Sequence, residues 1–300
     1  LNTYIAEREA QGWNVGLYDL AAIQAQYGHG MALPEAITYF LREADQRFDY
    51  EHVLLVGDDS YDYRDHLGLG SVSFVPTEYT ATSNIPHTPS DALLADLDGD
   101  GVGDKAIGRW PVRSETDLEV IVQKTLDWQA STAADQSALW VTDSEDARVP
   151  SFVDQAERMI DPLEQAGWSE QRIDRVYFDQ IEPGPGETSA EAARQQMIAA
   201  LEQGKSLTGF AGHGAPTMWT FQGLLTPDDV SAIDNEGLPT LISTLTCYTS
   251  YFVSPHTDTL AHRLMNGYRE DAGGDPVAGV ANGAVAIHGA ATLSDYSGNE

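Results

Sequence analysis

The chain has 300 residues, 42% of them hydrophobic, and its 47 acidic and 16 basic side chains give a net charge of −31. This apolar content can build a substantial core, as one large domain or two smaller ones, and the 9% of aromatic residues argues against disorder. So negative a surface repels phosphate backbones and anionic lipids, which argues against nucleic-acid binding and polybasic membrane binding. We interpret the negative charge as a means of keeping the protein soluble, as in a salty or extracellular setting.

The cysteine content and the hydropathy set further limits. Cys247 is the single cysteine, so an internal disulfide is excluded. No apolar stretch approaches the roughly 20 residues that a membrane-spanning helix requires. The chain opens at Leu1 with neither a Met nor a signal peptide. We therefore expect an excised or mature segment, with flanking or pro-domains outside it.

The first half of the chain predicts helices and strands around one irregular stretch. The expected helices and strands, in chain order, are helix 1–12, strand Asn14–Tyr18, helix Pro34–Phe48, strand His52–Val56, strand Ala106–Trp110 and helix Glu115–Ala130. Residues 60–104 are rich in turn formers and predict short, irregular pieces. The polar segment 131–137 is the best boundary, which predicts an N-terminal α/β subdomain at 1–135 and a second subdomain at 136–300.

The second half alternates more regularly. The expected elements are strand 138–141, helix 151–166, strand Arg175–Phe178, helix 189–203, strand 206–211, strand 239–246, helix 257–267 and strand 283–288. Strands that alternate with helices predict an α/β fold, in which helices cover both faces of a mostly parallel sheet.

Two of the predicted strands each deliver a reactive side chain at the carboxyl end. The run 206–211 leads into Gly212-His213-Gly214, and the run 239–246 leads into Cys247. That edge of an open α/β sheet is where active sites are built, and a thiol with an imidazole there suggests a nucleophile and its base. The backbone N–H groups of Gly214 and Cys247 are candidates to hold an oxyanion.

Purely structural interpretations of these two residues compete with the catalytic one. A single cysteine is more often an inert buried residue, and a His-Gly pair is more often a turn. Among the other histidines, His288 is expected in the core and His256 is a candidate for the substrate site.

The acidic loop 96–104 predicts a calcium site. Oxygens of Asp96, Asp98, Asp100 and Asp104, with glycines between them, match the ligands that Ca²⁺ requires. The twelfth position of the loop is Ile107 rather than the bidentate Glu of an EF-hand, so an EF-hand is excluded. The alternative is a solvated cluster of Asx turns. Any ion is expected to be structural, because cysteine chemistry needs no metal cofactor.

Several of these motifs together resemble the gingipain family of cysteine peptidases, peptidase family C25. The resemblance covers nearly the whole chain, in the right order, and is carried by Leu54–Asp58, Asp96–Asp104, Ala106–Arg109, Thr208–Gly214, Trp219, Pro239–Cys247 and Gly283–Ile287. The His-Gly and apolar-block-Cys signals are shared with caspases and legumains. The resemblance implies a caspase-like α/β fold, an open and mostly parallel sheet flanked by helices, in two subdomains with catalysis in the second.

The resemblance also implies the roles of individual residues. His213 and Cys247 would form the catalytic dyad, with the oxyanion held by the Gly214 and Cys247 amides. The family places an acidic residue behind the histidine, for which Asp143 and Glu145 are the two candidates. Alignment does not separate them, and either is otherwise an ordinary acid at a strand end.

Substrate preference is where the sequence departs from the arginine-specific members, which carry an acidic residue at the floor of the specificity pocket. Phe152 stands at that position, with Asp154 two residues later. A guanidinium beside Phe152 would be poorly paired, so an apolar or uncharged P1 residue is expected. Trp219 is a further candidate for substrate binding, and Tyr296 matches an aromatic lid over the pocket or, alternatively, a frayed chain end.

The sequence therefore predicts an extracellular or cell-surface cysteine endopeptidase that acts on polypeptides through an acyl-enzyme. Three alternatives stay open. The chain could be a catalytically inactive caspase-like module that binds peptides, a Cys/His amidohydrolase or transferase that acts on a small amide, or a calcium-binding structural domain.

Overall fold

The computed structural model describes residues 1–132, 137–255, 258–270, 276–277 and 279–294. The chain forms two compact units, Leu1–Ser114 with Phe252–Thr257, and Glu115–Tyr251 with Asp258–Glu300. Among the described residues, none of the helices combines the length and the hydropathy of a membrane-spanning segment.

The first unit is built on two parallel strands, β1 (His52–Val56) and β4 (Ala106–Trp110), which pair along their whole length. Between them in the chain lies a short antiparallel hairpin of β2 (Glu78–Thr80) and β3 (Thr88–Ser90). The helices of this unit are α1 (Asn2–Ala10), α2 (Leu20–Tyr27) and α3 (Leu33–Phe48). Its core joins α2 and α3 to β1 through the buried side chains of Ile23, Ala36, Ile37, Phe40, Leu41, Ala44, Leu55, Val75 and Leu94.

The predicted strand Asn14–Tyr18 is wrong. These residues form no regular structure, and Leu17 and Tyr18 are largely exposed, because no neighbouring strand pairs with the segment. Helix α2 follows directly and was not predicted. Asp19 begins it by accepting a hydrogen bond from the Ala22 N–H at 3.1 Å. An aspartate before an apolar run is a helix-start signal, so this helix was accessible from the sequence.

The second unit contains the larger set of elements. Its main strands are β5 (Ala138–Thr142), β6 (Ile173–Tyr177), β7 (Leu207–Ala211), β10 (Thr240–Leu245) and β13 (Ala284–His288). Short strands form two antiparallel pairs, β8 (Gly214–Ala215) with β9 (Met218–Trp219) and β11 (Arg269–Glu270) with β12 (Pro276–Val277). The helices are α4 (Glu115–Thr132), α5 (Phe152–Gln165), α6 (Ser189–Glu202), α7 (Pro227–Val230) and α8 (Leu260–Asn266).

The five main strands form one sheet in the order β13–β10–β7–β5–β6, and every neighbouring pair is parallel. Successive residues of β5 point to opposite faces and enter two separate cores. Ala138 and Trp140 pack with α5, whereas Leu139 and Val141 pack in a cluster that includes residues of α6 and α8. Helices thus cover both faces of a buried parallel sheet, as the sequence predicted.

Helix α4 belongs to the second unit, so the compact units divide before this helix rather than after it. The predicted boundary at 135/136 lies on its other side. The anchor of α4 is Lys124, a fully buried lysine whose Nζ donates hydrogen bonds to the backbone oxygens of Leu264 at 2.8 Å and Asn282 at 3.0 Å. Both partners are neutral carbonyls. Burial therefore holds the pKa of Lys124 well below its usual range.

We expect Lys124→Met to change how stability depends on pH. A depressed pKa means that the unfolded chain binds more protons than the folded chain between the folded pKa and about 10.4, so the Lys124 contribution to stability rises with pH there. The free energy of unfolding of the wild type, minus that of the variant, should increase by up to about 1.4 kcal/mol per pH unit. Urea denaturation between about pH 7 and pH 10 measures it. A pH-independent difference would contradict the prediction.

Candidate active site

Three strands of the five-stranded sheet bring their carboxyl ends to one edge. Ala211, the last residue of β7, is in register with Thr142 of β5 and with Leu245 of β10. The strand order reverses between β5 and β7, since β6 lies on the far side of β5. Such a switch point opens a crevice at the carboxyl edge. His213 and Cys247 each follow this edge by two residues.

Two glycines let the backbone around His213 pass close to its neighbours. A Cβ atom on Gly212 would lie 2.5 Å from Cβ of Asp143, and one on Gly214 would lie 2.7 Å from the backbone oxygen of Cys247. Side-chain carbons are not tolerated at such distances, so both positions require glycine. The Gly214 contact also means that the loop after β7 lies against the loop after β10.

Asp146 holds the imidazole of His213. Its Oδ2 lies 3.3 Å from Nε2 of the ring. Arg148 holds the same carboxylate through Nε, at 2.9 Å from Oδ1, and through Nη2, at 2.7 Å from Oδ2. The hydrogen bonds from Arg148 hold the pKa of Asp146 well below its usual range. Asp146 is therefore a carboxylate at neutral pH, and it favours the tautomer in which Nδ1 accepts a proton.

Asp143, one of the two predicted acids, supports the main chain of His213. It is buried, and its Oδ2 accepts a hydrogen bond from the His213 backbone N–H at 3.0 Å. Burial raises the pKa of Asp143, although the hydrogen bonds from the His213 and Ser144 backbone N–H groups oppose that rise. Asp143 thus positions the loop that carries the imidazole.

Glu145, the other predicted acid, caps helix α5. Its carboxylate accepts hydrogen bonds from Ser151 Oγ at 2.7 Å and from the Val153 backbone N–H at 3.1 Å. The acid at the ring, Asp146, was missed by the sequence analysis. It lies in the same loop, and its proximity to Arg148 in the sequence was the available signal.

Two phenylalanine rings flank the imidazole. Phe152 meets it edge-on, with ring centroids 5.4 Å apart at 84°, and Phe221 stacks on it at 5.0 Å and 27°. Phe152 is only 3% exposed, so in this structure it supports the histidine and offers little surface to a ligand. Phe221 is exposed and was not predicted as a site residue.

Cys247 lies in a turn held by a second segment of chain. Ser294 contacts the sulfur through its backbone N–H, which donates to Sγ at 3.4 Å, through its carbonyl, which accepts from Sγ at 3.5 Å, and through its hydroxyl at 3.8 Å. The backbone N–H of Tyr248 donates to the Thr292 oxygen at 2.9 Å. Tyr248 itself has a φ of +58°, a strained conformation for a side chain of this size. Ser294 was also not predicted.

The other site residues predicted from the sequence lie in the core, at the surface or outside the described residues. Trp219 is 1% exposed and its ring stacks on Phe210 at 4.5 Å within the core, which argues against contact with a substrate. Asp154 is exposed in the first turn of α5. His288 is exposed at the end of β13, so its predicted place in the core is wrong, because the strand end leaves the sheet interior. Tyr296 and His256 lie outside the described residues.

Comparison with known proteins assigns the chain. The family model described as peptidase family C25 matches residues 1–300. The chain belongs to peptidase family C25. A comparison with curated proteins finds no match.

Solved structures are similar to this C25 chain in fold. A complex of the RgpB pro- and mature domains of Porphyromonas gingivalis has a TM-score of 0.73 and 19% identity, and the alignment covers 98% of this chain and 61% of that one. A crystal structure of the Arg-specific cysteine proteinase gingipain R (RgpB) has a TM-score of 0.65 and 21% identity, with 87% and 54% covered. This chain thus spans less than two thirds of the length of either.

The Asp-rich loop of this C25 chain belongs to the first unit. Carboxylate oxygens of Asp96, Asp98 and Asp104 lie within 4.8 Å of one another, whereas Asp100 is outside this group. The Asp96 oxygens also accept hydrogen bonds from the loop backbone, as expected of Asx turns. A set of three carboxylates fits a hard cation. Calcium binding stays a prediction.

Calcium should raise the thermal unfolding midpoint of the chain, because an ion that binds only the folded loop stabilises it by mass action, by about 2.7 kcal/mol at 100 times the dissociation constant. Asp98→Asn should weaken the effect, since it removes one charged ligand. Asp154→Asn, which changes an exposed acid outside the loop, is the control. A shift equal in all three proteins, or no shift in the wild type, would count against a calcium site.

Proposed function

We propose that this C25 family member is a cysteine endopeptidase that hydrolyses peptide bonds through Cys247 and His213. The observation that supports it is the arrangement at the switch-point edge of the sheet. Cys247, the only thiol, follows β10, and His213 follows the neighbouring strand β7, with its imidazole held by the ionised carboxylate of Asp146. Membership of the family supports a peptidase over the peptide-binding and small-amide alternatives.

The nucleophile of the proposed reaction is the thiolate of Cys247. A thiol attacks a carbonyl only as thiolate, so the reaction needs a base that takes the thiol proton. The sulfur is held in place by Ser294, whose backbone N–H lies 3.4 Å and whose hydroxyl lies 3.8 Å from it. Attack on the scissile carbonyl forms the C–S bond, and collapse of the tetrahedral species expels the amine and leaves an acyl-enzyme.

His213 is the proposed acid and base. With Nε2–H facing Asp146, Nδ1 takes the thiol proton and gives it to the leaving amine, then removes a proton from the water that hydrolyses the acyl-enzyme. No hydrogen bond joins His213 to Cys247 in the described part of the chain. A base that must reach the leaving amine does not need one in the free enzyme.

The oxyanion would be held by the backbone N–H groups of Gly214 and Cys247. The close approach of Gly214 to the Cys247 carbonyl supports this pairing, because it brings the two segments of backbone together. Preorganised amide donors of this kind commonly contribute about 2.7–4 kcal/mol to transition-state stabilisation.

The preferred substrate is a polypeptide with an uncharged P1 residue. The gingipain R structure is described as Arg-specific. Phe152 stands where the resemblance places the acid of the arginine-specific members, and it is buried against the imidazole, so that position supplies no carboxylate to a P1 guanidinium. The chain matches 61% of the length of a chain from a complex described as RgpB pro- and mature domains, and by this likeness we infer flanking or pro-domains as partners. The family resemblance and the net charge of −31 favour an extracellular or cell-surface setting.

Cys247→Ala should abolish cleavage of a mixed peptide library, because no other thiol can form the acyl-enzyme, while the fold and its unfolding midpoint stay near those of the wild type. Mass spectrometry of the cleaved library gives the P1 preference. Cleavage by the variant at the wild-type rate would rule out the assignment, and a sole preference for Arg would contradict the role given to Phe152.

Asp146→Asn should lower kcat/KM by about 10²–10⁴, because the imidazole loses the carboxylate that orients it and stabilises its charged form. Glu145→Gln is the matched control. Glu145→Gln weakens the cap of α5, so it should lower the free energy of unfolding by about 1 kcal/mol. It should change kcat/KM far less than Asp146→Asn does. The opposite order of effects on kcat/KM would show that Glu145, and not Asp146, supports His213.

A further inference from the structure

Phe221 is an exposed aromatic side chain beside the proposed base. It is 74% exposed, the largest fraction among the large hydrophobic side chains that the structure exposes in its described part. Thr220, immediately before it, is buried, and the chain is buried again from Leu224, so only the tip of the turn is exposed. An isolated exposed apolar side chain is ordinary in itself. Phe221 differs from other exposed apolar residues because its ring stacks on the imidazole of His213.

The turn that carries Phe221 is fixed by hydrogen bonds at both ends. The Thr220 N–H donates to the His213 oxygen at 2.8 Å, and the Gly223 N–H donates to the Thr220 oxygen at 3.2 Å. From helix α6, Arg194 Nη2 donates to the Gly223 oxygen at 2.5 Å. Thr220 has a φ of +59°, a conformation that costs free energy outside glycine. A rigid and locally strained backbone therefore holds the Phe221 ring in place.

The chemistry of the base defines what lies next to this ring. His213 must protonate the amine of the departing fragment, so the first residue after the scissile bond, P1′, has its nitrogen at the imidazole. The Phe221 ring lies 5.0 Å from the imidazole, centroid to centroid, and the rest of its surface is open. A P1′ residue whose nitrogen meets the imidazole would therefore lie beside the Phe221 ring.

We propose that Phe221 is a specificity-determining residue that forms the apolar wall of the P1′ subsite. This inference rests on the proposed peptidase function. The ring offers no hydrogen-bond partner, so it favours an apolar or aromatic P1′ side chain over glycine or a charged residue. Contact with the leaving fragment is lost once the acyl-enzyme forms, so the preference acts on acylation.

The test compares peptides that share one sequence and the preferred P1 residue and differ at P1′, which is Phe, Leu or Gly. For the wild type, kcat/KM should be about tenfold higher with Phe than with Gly at P1′, the discrimination that an apolar contact typically gives. Phe221→Ser should lose activity mainly on the Phe and Leu peptides, so that the ratio falls toward unity. Phe221→Trp, which keeps an aromatic wall, should keep the ratio.

Phe48→Ser is the matched control, since Phe48 is another highly exposed phenylalanine, 66% exposed at the end of α3. It should keep the wild-type ratio. Equal losses on the Phe and Gly peptides with Phe221→Ser would mean that the ring acts only through His213, and would overturn the proposal. Wild-type turnover without a P1′ preference would overturn it too and leave the peptidase intact. No wild-type turnover at all would overturn both.

Discussion

The parallel pairing of β7 with β5 on one side and β10 on the other is the constraint on which the rest of the site depends. Ala211 is in register with the ends of both neighbours, so the three following loops leave the sheet at one level. One loop brings Asp146, one His213 and one Cys247. A slip of one residue in either pairing would turn the strand side chains to the opposite face, so the two buried cores also fix the geometry of the site.

The loops then need backbone freedom that side chains would deny. Gly212 and Gly214 lie where a Cβ atom would collide with Asp143 and with the Cys247 carbonyl, while Tyr248 and Thr220 adopt left-handed conformations. The two strained residues lie beside the proposed nucleophile and the proposed aromatic wall. Strain of this kind persists only where surrounding contacts over-determine the backbone, and here buried residues and main-chain hydrogen bonds supply those contacts.

Much of this fold was predictable, because continuous apolar runs and helical periodicity indicate a buried parallel sheet. The strand ends could therefore be assigned, and with them His213 and Cys247. The partner of the imidazole could not. Asp143, Glu145 and Asp146 lie in one short loop, the nearness of Arg148 to Asp146 is a weak signal, and the path of the loop is what makes them a backbone anchor, a helix cap and a ring partner. Trp219 and Phe221 show the same limit, since a tight turn buries one and exposes the other.

Covalent labelling tests the central claim most directly, that Cys247 is a nucleophile activated by His213. The reagent is a peptidyl acyloxymethyl ketone, and mass spectrometry of the digested protein locates the adduct. We predict one adduct, on Cys247 of the wild type, formed far more slowly in His213→Ala. Two results together would contradict the account: iodoacetamide labels the wild type and His213→Ala equally, and the peptidyl ketone forms no adduct. Cys247 would then be an accessible thiol with neither a catalytic partner nor a peptide-binding site.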